Sequence, residues 1–174
     1  MIAANQAWID TFSKMGAKAK YKSSLVAARD FYKENGRLYQ INPIVDFYNH
    51  FALRHMVPMG AYDMSKIDGD LYLTLADKGL EFIGIGGKDI QKTNDGEIIY
   101  KDDSGVLCRC WNLKDADRTK ITDEAKDVLF MFDIISDSPH EKFEKFKNEF
   151  AEIFGSISAF GLTGKNLGKE IIIG

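Results

Sequence analysis

The sequence predicts an α+β protein, with a mixed or antiparallel sheet in the middle of the chain and helices on either side. Apolar residues recur every three or four positions before residue 60 and after residue 138, which is the period of amphipathic helices. Between about Leu71 and Ile135 they alternate with polar residues or form short runs, as in strands. The chain has 174 residues and is 45% hydrophobic, so a single domain with a sizeable core is expected over residues 1–174.

The composition argues against several classes of protein. No apolar run approaches the ~18 residues of a transmembrane helix, and the first residues lack the features of a signal peptide. We therefore expect a cytoplasmic protein with no membrane partner. The net charge of −3 argues against a protein that binds DNA or RNA through charge alone. A local basic patch is still compatible with this net charge. Cys108 and Cys110 are too few for a disulfide scaffold or a zinc site, and no metal is expected.

Two helices are predicted at the start of the chain. Residues 5–15 form the first, with one apolar face made of Trp8, Ile9, Phe12 and Met15. The second begins at a serine before Leu25 and ends at Asn35-Gly36. Between them, three lysines surround Tyr21, and this segment fits an exposed connector better than a phosphate-binding surface. These lysines are Lys18, Lys20 and Lys22.

The third predicted helix is marked by a proline at each end. Asn42 is a suitable N-cap, Pro43 then occupies the first helical position, and Pro58 ends the helix. An apolar stripe runs along this helix and predicts a buried face: Ile44, Val45, Tyr48, Phe51, Ala52, His55 and Met56. The segment Gly60-Ala61-Tyr62-Asp63 is expected to turn the chain back.

Strands are predicted next. Residues 71–76 alternate as a half-buried strand does, and Glu81–Ile85 is expected to be the returning strand. Residues 97–100 and 106–111 are predicted to form a hairpin. On the second hairpin strand, Arg109 and Trp111 are expected to share a face, where a guanidinium and an indole can bind a phosphate or carboxylate and stack a ring.

The last elements follow a similar pattern. Residues 127–135 are predicted to be a buried strand, and Ser138-Pro139 starts a long helix. A final strand is expected at Ile171-Ile172-Ile173. The long helix has an apolar stripe made of Phe143, Phe146, Phe150, Ile153 and Phe154.

Three ordered blocks of the sequence are NPIVDFYNHFALRHMVPMGAYD (42–63), GVLCRCWN (105–112) and DRTKITDEAKDVLF (117–130). The first resembles the signature of the B3/B4 domain, the tRNA-binding and editing module of the phenylalanyl-tRNA synthetase beta chain. That signature reads N-x-x-V-D-x-x-N-Y, followed by P-x-H-A-F-D. The other two blocks are similar to freestanding members of the family. The resemblance covers about residues 20–135, and it implies that an N-terminal segment present in freestanding members is missing here.

The resemblance implies a trans-acting hydrolase that cleaves the ester of mischarged tRNA. Its partner would be the aminoacylated 3′ end of a tRNA, with no cofactor. The alternative is a non-catalytic module that binds tRNA, an aminoacyl group or a free amino acid and has lost the editing chemistry. The oligomeric state, the amino acid and the tRNA are left open.

The resemblance also implies site residues. Asn49 matches the asparagine of the V-D-x-x-N motif and is expected to hold a substrate amine or carbonyl. Tyr48 replaces a small hydroxyl residue and narrows the pocket. Gly60 stands where the synthetase has the histidine of P-x-H-A-F-D. Met131 stands near the glutamate that reads the hydroxyl of tyrosine, so selectivity for tyrosine is not expected.

Further candidates lie in the same three blocks. Asp63 or Asp117 is expected to position water or the amino group, Asn112 to position the substrate, and Arg109 to contact the RNA end. Each has a structural alternative, since Asp63 can cap a turn and Asp117 can form an ion pair with Arg118. The predicted substrate-binding set is completed by Tyr62, Trp111 and Arg118.

Overall fold

The computed structural model describes residues 2–14, 23–135, 138–154 and 171–173. These residues form two compact units, which divide after Asp133 and are described separately below. The prediction that the whole chain is one domain stays a prediction. Four helices are present in the described ranges: α1 (Ile2–Lys14), α2 (Ser24–Asn35), α3 (Pro43–His55) and α4 (Pro139–Phe154).

The described strands pair antiparallel throughout. Strand β1 pairs with β8, β3 pairs with β4, and the five remaining strands form a sheet in the order β7-β6-β5-β2-β9. This arrangement confirms the predicted α+β class. The strands are β1 (Met59–Asp63), β2 (Leu71–Leu75), β3 (Glu81–Phe82), β4 (Gln91–Lys92), β5 (Ile98–Asp102), β6 (Gly105–Arg109), β7 (Lys114–Asp115), β8 (Val128–Phe132) and β9 (Ile171–Ile173).

Helix α3 begins as its sequence predicts. The Asn42 side chain accepts a hydrogen bond from the Val45 N–H at 3.0 Å, and Pro43 is the first helical residue. The Asn42 amide also donates to the Ile121 carbonyl at 3.2 Å, so the cap ties α3 to the chain ahead of β8. The helix ends at His55, and Met56 follows with a positive φ of 55°.

The segment after α3 differs from the prediction. Met59–Asp63 is not a turn but strand β1, and it pairs with β8 along its whole length. Gly60 and Ala61 are poor strand formers, so the local sequence carries no strand signal. Pairing with residues far along the chain decides the conformation instead.

The prediction that the strand 81–85 returns alongside β2 was also wrong. Within the expected strand 81–85, Glu81–Phe82 forms strand β3 and pairs with β4, and Gly84 makes an isolated bridge to Ala116. Strand β2 pairs instead with β5 and β9. The predicted hairpin of β5 and β6 is present, with Asp102 opposite Gly105 at its turn.

The core of the first unit lies on both faces of the β1·β8 pair. Ala61 belongs to a cluster with Val45 and Ile121, on the side of α3. Tyr62 points to the opposite side, as the next residue of a strand does. There it packs in a cluster with strands β2, β5 and β6, whose members are Leu71, Tyr100, Leu107 and Cys108.

The outer helices match their predicted faces in part. In α1, Trp8 and Phe12 are buried, Ile9 is exposed, and Met15 lies outside the described residues, as does the segment with the three lysines. In α4, Phe146 and Phe150 are buried and Ile153 is exposed. None of the described helices combines the length and apolar character needed to cross a membrane.

Candidate functional site

Polar side chains meet between the β1·β8 pair and strands β5, β6 and β7. Tyr62 leaves β1 toward this space, and Leu129 and Met131 leave β8 in the same direction. Because side chains alternate, Asp133 also points this way immediately after β8. We call the polar and aromatic residues here the inner cluster: Tyr62, Tyr100, Cys108, Trp111, Asn112, Asp115 and Asp133.

Asp133 is held at the centre of the inner cluster. The Tyr100 hydroxyl donates to Asp133 Oδ1 at 2.7 Å, and the indole N–H of Trp111 donates to the same oxygen at 3.1 Å. The Asp133 N–H donates to the Pro58 carbonyl at 3.1 Å, which fixes the backbone. Burial raises the pKa of the Asp133 carboxyl, and the donors Tyr100, Asn112 and Trp111 oppose this rise.

Trp111 reaches Asp133 because the strand ends before it. Cys110 and Trp111 have positive φ angles of 51° and 63°, so the chain leaves β6 after Arg109. The indole then packs edge-on against Trp8 of α1, with 5.0 Å between ring centroids. The expectation that Arg109 and Trp111 share one strand face is therefore wrong, since alternation holds only in extended backbone.

A second acid, the half-buried Asp115, lies across from Cys108. Asp115 is the register partner of Cys108 in the β6·β7 pair, so both side chains point to the same side. Burial raises the pKa of the Asp115 carboxyl to about 6, the Cys108 thiol opposes this rise, and the Asp133 carboxyl adds to it. Burial also raises the pKa of the Cys108 thiol. The two acids are close enough to influence each other's charge.

One member of the inner cluster, Asn112, has an unused hydrogen-bonding group. Tyr62 is 2% exposed and packs with Tyr100 and Cys108. The Asn112 Oδ1 accepts from the Ser24 N–H at 3.3 Å, whereas its buried Nδ2 has no acceptor in normal geometry within the described ranges. That amide nevertheless lies near enough to Asp133 to lower its pKa. Buried donors without partners are rare and call for an explanation.

Gly60 and Met131 border this space from adjacent strands. They are opposite each other in the β1·β8 register, and both are half-buried. A Cβ at Gly60 would meet no heavy atom within 4 Å, so there is open space beside it. The two positions that match the histidine and the glutamate of the resembled family are thus neighbours, and neither carries a titratable side chain.

Helix α3 contributes Tyr48 and Asn49. The Tyr48 ring packs edge-on against Phe130 at 6.3 Å between centroids. Burial raises the pKa of Tyr48, and the nearby Asp115 charge adds to this effect. Asn49 lies one turn after the buried Val45 and is half-buried, and its side chain makes no hydrogen bond to any described residue.

Arg109 lies away from the inner cluster in a buried ion pair. Its Nε and Nη2 donate to the two carboxylate oxygens of Glu97, each at 2.8 Å. Burial raises the pKa of Glu97, but the hydrogen bonds from Arg109 and Asn94 outweigh it and hold that pKa at about 2. The guanidinium also lies over the Phe82 ring, 5.7 Å from its centroid. Arg109 is 7% exposed, so this geometry does not present it to an RNA end.

The two predicted catalytic aspartates are engaged in local structure. Asp63 caps the short turn Met64–Lys66: its Oδ1 accepts from the Ser65 N–H at 3.1 Å and hydroxyl at 2.7 Å. Asp117 accepts from the Gly86 N–H at 2.9 Å and from Lys120 at 2.7 Å. These donors lower the pKa of both carboxyls. Neither aspartate contacts the inner cluster.

Arg118 also has a local role. It forms an ion pair with the buried Asp102 and donates to the carbonyls of Lys66 at 3.0 Å and Gly105 at 3.3 Å. It therefore pairs with Asp102 and not with Asp117, as one predicted alternative had it. Its contacts join the turn Met64–Lys66 to the β5–β6 hairpin.

Sequence reasoning missed three members of the inner cluster. Asp133 carried a usable signal, because an acid inside the apolar run 128–135 is rarely buried without a specific role. Tyr100 and Asp115 carried none, since their proximity depends on the sheet register. Within the described ranges, no group of three or more His, Cys, Asp and Glu side chains is arranged to hold a metal ion.

Comparison with known proteins gives the family. The phenylalanine–tRNA ligase beta subunit of Vibrio vulnificus (strain YJ016) is 30% identical over 89 residues, 51% of this chain and 11% of that protein. The corresponding subunit of Wolbachia sp. subsp. Brugia malayi (strain TRS) is 39% identical over 59 residues, 34% of this chain and 7% of that protein. That of Corynebacterium jeikeium (strain K411) is 29% identical over 91 residues, 52% of this chain and 10% of that protein.

The chain thus spans about a tenth of the length of these relatives. Residues 7–149 match the family described as the B3/4 domain, and this range includes α3, the β1·β8 pair and the whole inner cluster. The antiparallel α+β fold agrees with that match. The chain belongs to the B3/4 domain family.

Proposed function

We propose that this protein is an aminoacyl-tRNA deacylase that removes amino acids from mischarged tRNA in trans. Family membership supports a function linked to tRNA, because the relatives are named as subunits of a tRNA ligase. The observation that carries the proposal is the open space at Gly60 beside the inner cluster. A Cβ at Gly60 would meet no heavy atom within 4 Å, and we infer that an aminoacyl group binds there, next to the Asn112 amide that has no partner in normal geometry among the described residues.

The reaction needs few protein groups. Water attacks the ester carbonyl, the bond from that carbon to the ribose oxygen breaks, and a proton from the water ends on the ribose oxygen. The products are a free amino acid and a tRNA with a terminal hydroxyl. A site accelerates this reaction by orienting the water and the ester and by donating hydrogen bonds to the developing oxyanion.

We assign these tasks to polar side chains of the inner cluster and of α3. The Asn112 Nδ2, which makes no hydrogen bond in normal geometry to a described residue, is suited to donate to the oxyanion, and we assign the Tyr62 hydroxyl to orienting the water. Asn49 is assigned to the ester or the ribose. Trp111 forms a wall of the proposed pocket, whereas Tyr48 packs against Phe130 on the side of α3. Asp63, Asp117, Arg109 and Arg118 are left out of it, because their charged groups are engaged by other parts of the protein.

Selectivity should be modest. A site that hydrogen-bonds a substrate hydroxyl rejects analogues by about 10⁴-fold, whereas an apolar pocket discriminates by roughly 10–200-fold per methylene. Gly60 and Met131 offer no polar side chain to read a hydroxyl. We therefore expect hydrolysis of several small or apolar aminoacyl esters, without preference for tyrosine.

The test is hydrolysis of a panel of mischarged tRNAs by the purified protein. Release of at least one amino acid above the rate without enzyme is expected. Asn112→Ala should lower that rate by about 10²–10³-fold, the usual loss for an oxyanion donor. Asn49→Ala should also lower it, whereas Asn35→Ala, at the exposed end of α2, should not. Circular dichroism of each variant separates lost chemistry from lost folding.

The second candidate is a module that binds aminoacyl-tRNA without cleaving it. The absence of a titratable side chain at Gly60 and Met131 favours this alternative. Filter binding separates the two: tight binding of aminoacyl-tRNA with no release from any member of the panel would replace the deacylase proposal with a binding function.

A further inference from the structure

Asp133 has the features of a receptor for a cationic group. Both of its hydrogen bonds from described side chains, from Tyr100 and Trp111, end on Oδ1. The Asn112 amide also acts on this carboxyl, but it makes no hydrogen bond to a described residue in normal geometry. A carboxylate accepts several hydrogen bonds when ionised, so one side of this group is left for an external donor.

The charges around Asp133 indicate that this external donor carries a positive charge. Asp115 adds a second acid to the same space, and the groups that act on these two carboxyls in the described ranges include no lysine or arginine. Two neighbouring acids, one buried and one half-buried, are costly when no cation compensates them. A bound ammonium group would compensate both charges.

The surroundings also fit a ligand. The buried Asn112 Nδ2 has no hydrogen-bond partner in normal geometry among the described residues, so a donor next to Asp133 is unused as well. A Cβ at Gly60 would meet no heavy atom within 4 Å, so no other side chain fills that position. Trp8 packs edge-on against Trp111, and Trp111 in turn fixes Asp133, so the carboxylate is held in one orientation before any ligand arrives.

We propose that Asp133, oriented by Tyr100 and Trp111, binds the α-ammonium group of the aminoacyl ester. The inference rests on the proposed function for its choice of ligand, since every aminoacyl ester has this ammonium group and only the side chain differs. It explains how one site can accept several amino acids and still distinguish an aminoacyl end from an uncharged tRNA end. Asp133 thus replaces Asp63 and Asp117 in the role that the sequence analysis gave to an aspartate.

The test uses binding rather than turnover. The probes are adenosines with an aminoacyl group on a 3′-amide, which cannot be hydrolysed, carrying alanine, serine, threonine, phenylalanine or tyrosine. Each has a counterpart with hydrogen in place of the α-amino group. Isothermal titration of the unaltered protein should show at least one amine probe binding about 10–100-fold more tightly than its counterpart, as expected for a charged hydrogen bond.

Variants then test whether Asp133 is responsible for the difference in affinity between paired probes. Asp133→Asn should reduce the ratio between paired probes to below about twofold, and Tyr100→Phe should reduce it partly. Asp103→Asn, which changes an exposed acid outside the inner cluster, should leave it unchanged. Equal binding of paired probes to the unaltered protein would overturn the proposal even if Asp133→Asn fails to fold. An unchanged ratio in folded Asp133→Asn would overturn it too, as would no binding of any probe at millimolar concentration.

The result is separable from the deacylase test. Amine-dependent binding without hydrolysis of any mischarged tRNA would reject the deacylase and keep the ammonium site in a binding module. Hydrolysis without discrimination between paired probes would keep the deacylase and reject the role of Asp133.

Discussion

Gly60 is the residue at which a missing side chain matters most. The position is half-buried, its φ is not in the left-handed region, and a Cβ there meets nothing within 4 Å. The backbone at this position therefore accepts a residue with a side chain. Such a side chain would occupy the open space beside the inner cluster. Gly60 and Met131 are opposite each other on the adjacent strands β1 and β8. A larger side chain at position 60 would therefore fill the proposed aminoacyl pocket.

We therefore expect Gly60→Leu to fold with a stability within about 1 kcal/mol of the unaltered protein and to lose binding of the adenosine probes. Gly60→Ala should retain binding, because one methyl group leaves most of the space open. Urea denaturation and isothermal titration on the same samples test both variants. Normal probe binding by folded Gly60→Leu would place the ligand elsewhere.

Also at the residue scale, the raised pKa of Asp115 predicts how the free energy of unfolding depends on pH. Folding raises the pKa of this carboxyl from 3.8 to about 6. The folded state therefore binds the proton more tightly, and the free energy of unfolding falls as pH rises through this range. Above it, the buried charge costs about 1–3 kcal/mol, whereas below pH 3.8 the acid is neutral in both states and costs nothing.

Asp115→Asn should consequently gain stability relative to the unaltered protein as pH increases. We expect a small difference at about pH 4.5 and a gain of about 1–3 kcal/mol at about pH 7.5. Urea denaturation at both values measures it, with the exposed Asp95→Asn as the matched control. A gain that is the same at both pH values would show that packing, and not the buried charge, is responsible.

At the scale of elements, the Glu97–Arg109 pair joins the chain before β5 to the end of β6. Both side chains are buried and bonded through two contacts of 2.8 Å. Removing one partner of a buried pair leaves an uncompensated charge and costs about 3–5 kcal/mol. Arg109→Ala should therefore lower the free energy of unfolding by about this amount.

The exposed Arg37→Ala is the control for that variant, and denaturant midpoints give the comparison. The sequence-based alternative makes the opposite prediction, because an arginine that contacts RNA contributes to binding and little to folding. If Arg109→Ala keeps its stability and loses tRNA binding, the interpretation of Arg109 as a structural residue is wrong.

Elements differ in how far the sequence specifies them. The start of α3 was predictable, because Asn42 and Pro43 act on the backbone within one turn. Strand β1 was not, since Gly60 and Ala61 adopt an extended conformation only through their pairing with β8. The turn at Cys110 and Trp111 was missed for a related reason: neither residue type favours a positive φ.

The same contrast holds for the whole molecule and its candidate site. The resemblance singled out Tyr62, Trp111 and Asn112, which lie in the inner cluster, and Gly60, which borders it, whereas Tyr48 packs on the side of α3. It could not identify Asp115 or Asp133 as their neighbours, because that depends on which strands pair and in what register. Sequence blocks identify a family and some of its positions, whereas a buried charge is recognised only when its surroundings are known.

At the scale of the whole molecule, the balance of charges predicts how strongly RNA binding depends on contacts with phosphates. The net charge is −3, and several described cations are already paired with acids. These pairs are Arg29–Asp30, Lys66–Asp63, Arg109–Glu97, Arg118–Asp102 and Lys120–Asp117. The chain has 26 acidic residues against 23 Lys and Arg, so it offers no net positive charge to phosphates, and recognition should depend mainly on the aminoacyl end.

Binding of aminoacyl-tRNA should therefore depend weakly on salt. Each neutralised phosphate contributes about −0.7 to −0.9 to the slope of log affinity against log salt, so three or fewer contacts predict a slope no steeper than about −2.7. Affinities from filter binding at about 50 and 200 mM potassium chloride should therefore differ by less than about 40-fold. A slope near −5 would instead indicate an extended backbone contact, and the triple replacement of Lys18, Lys20 and Lys22 by alanine would then test whether those lysines provide it.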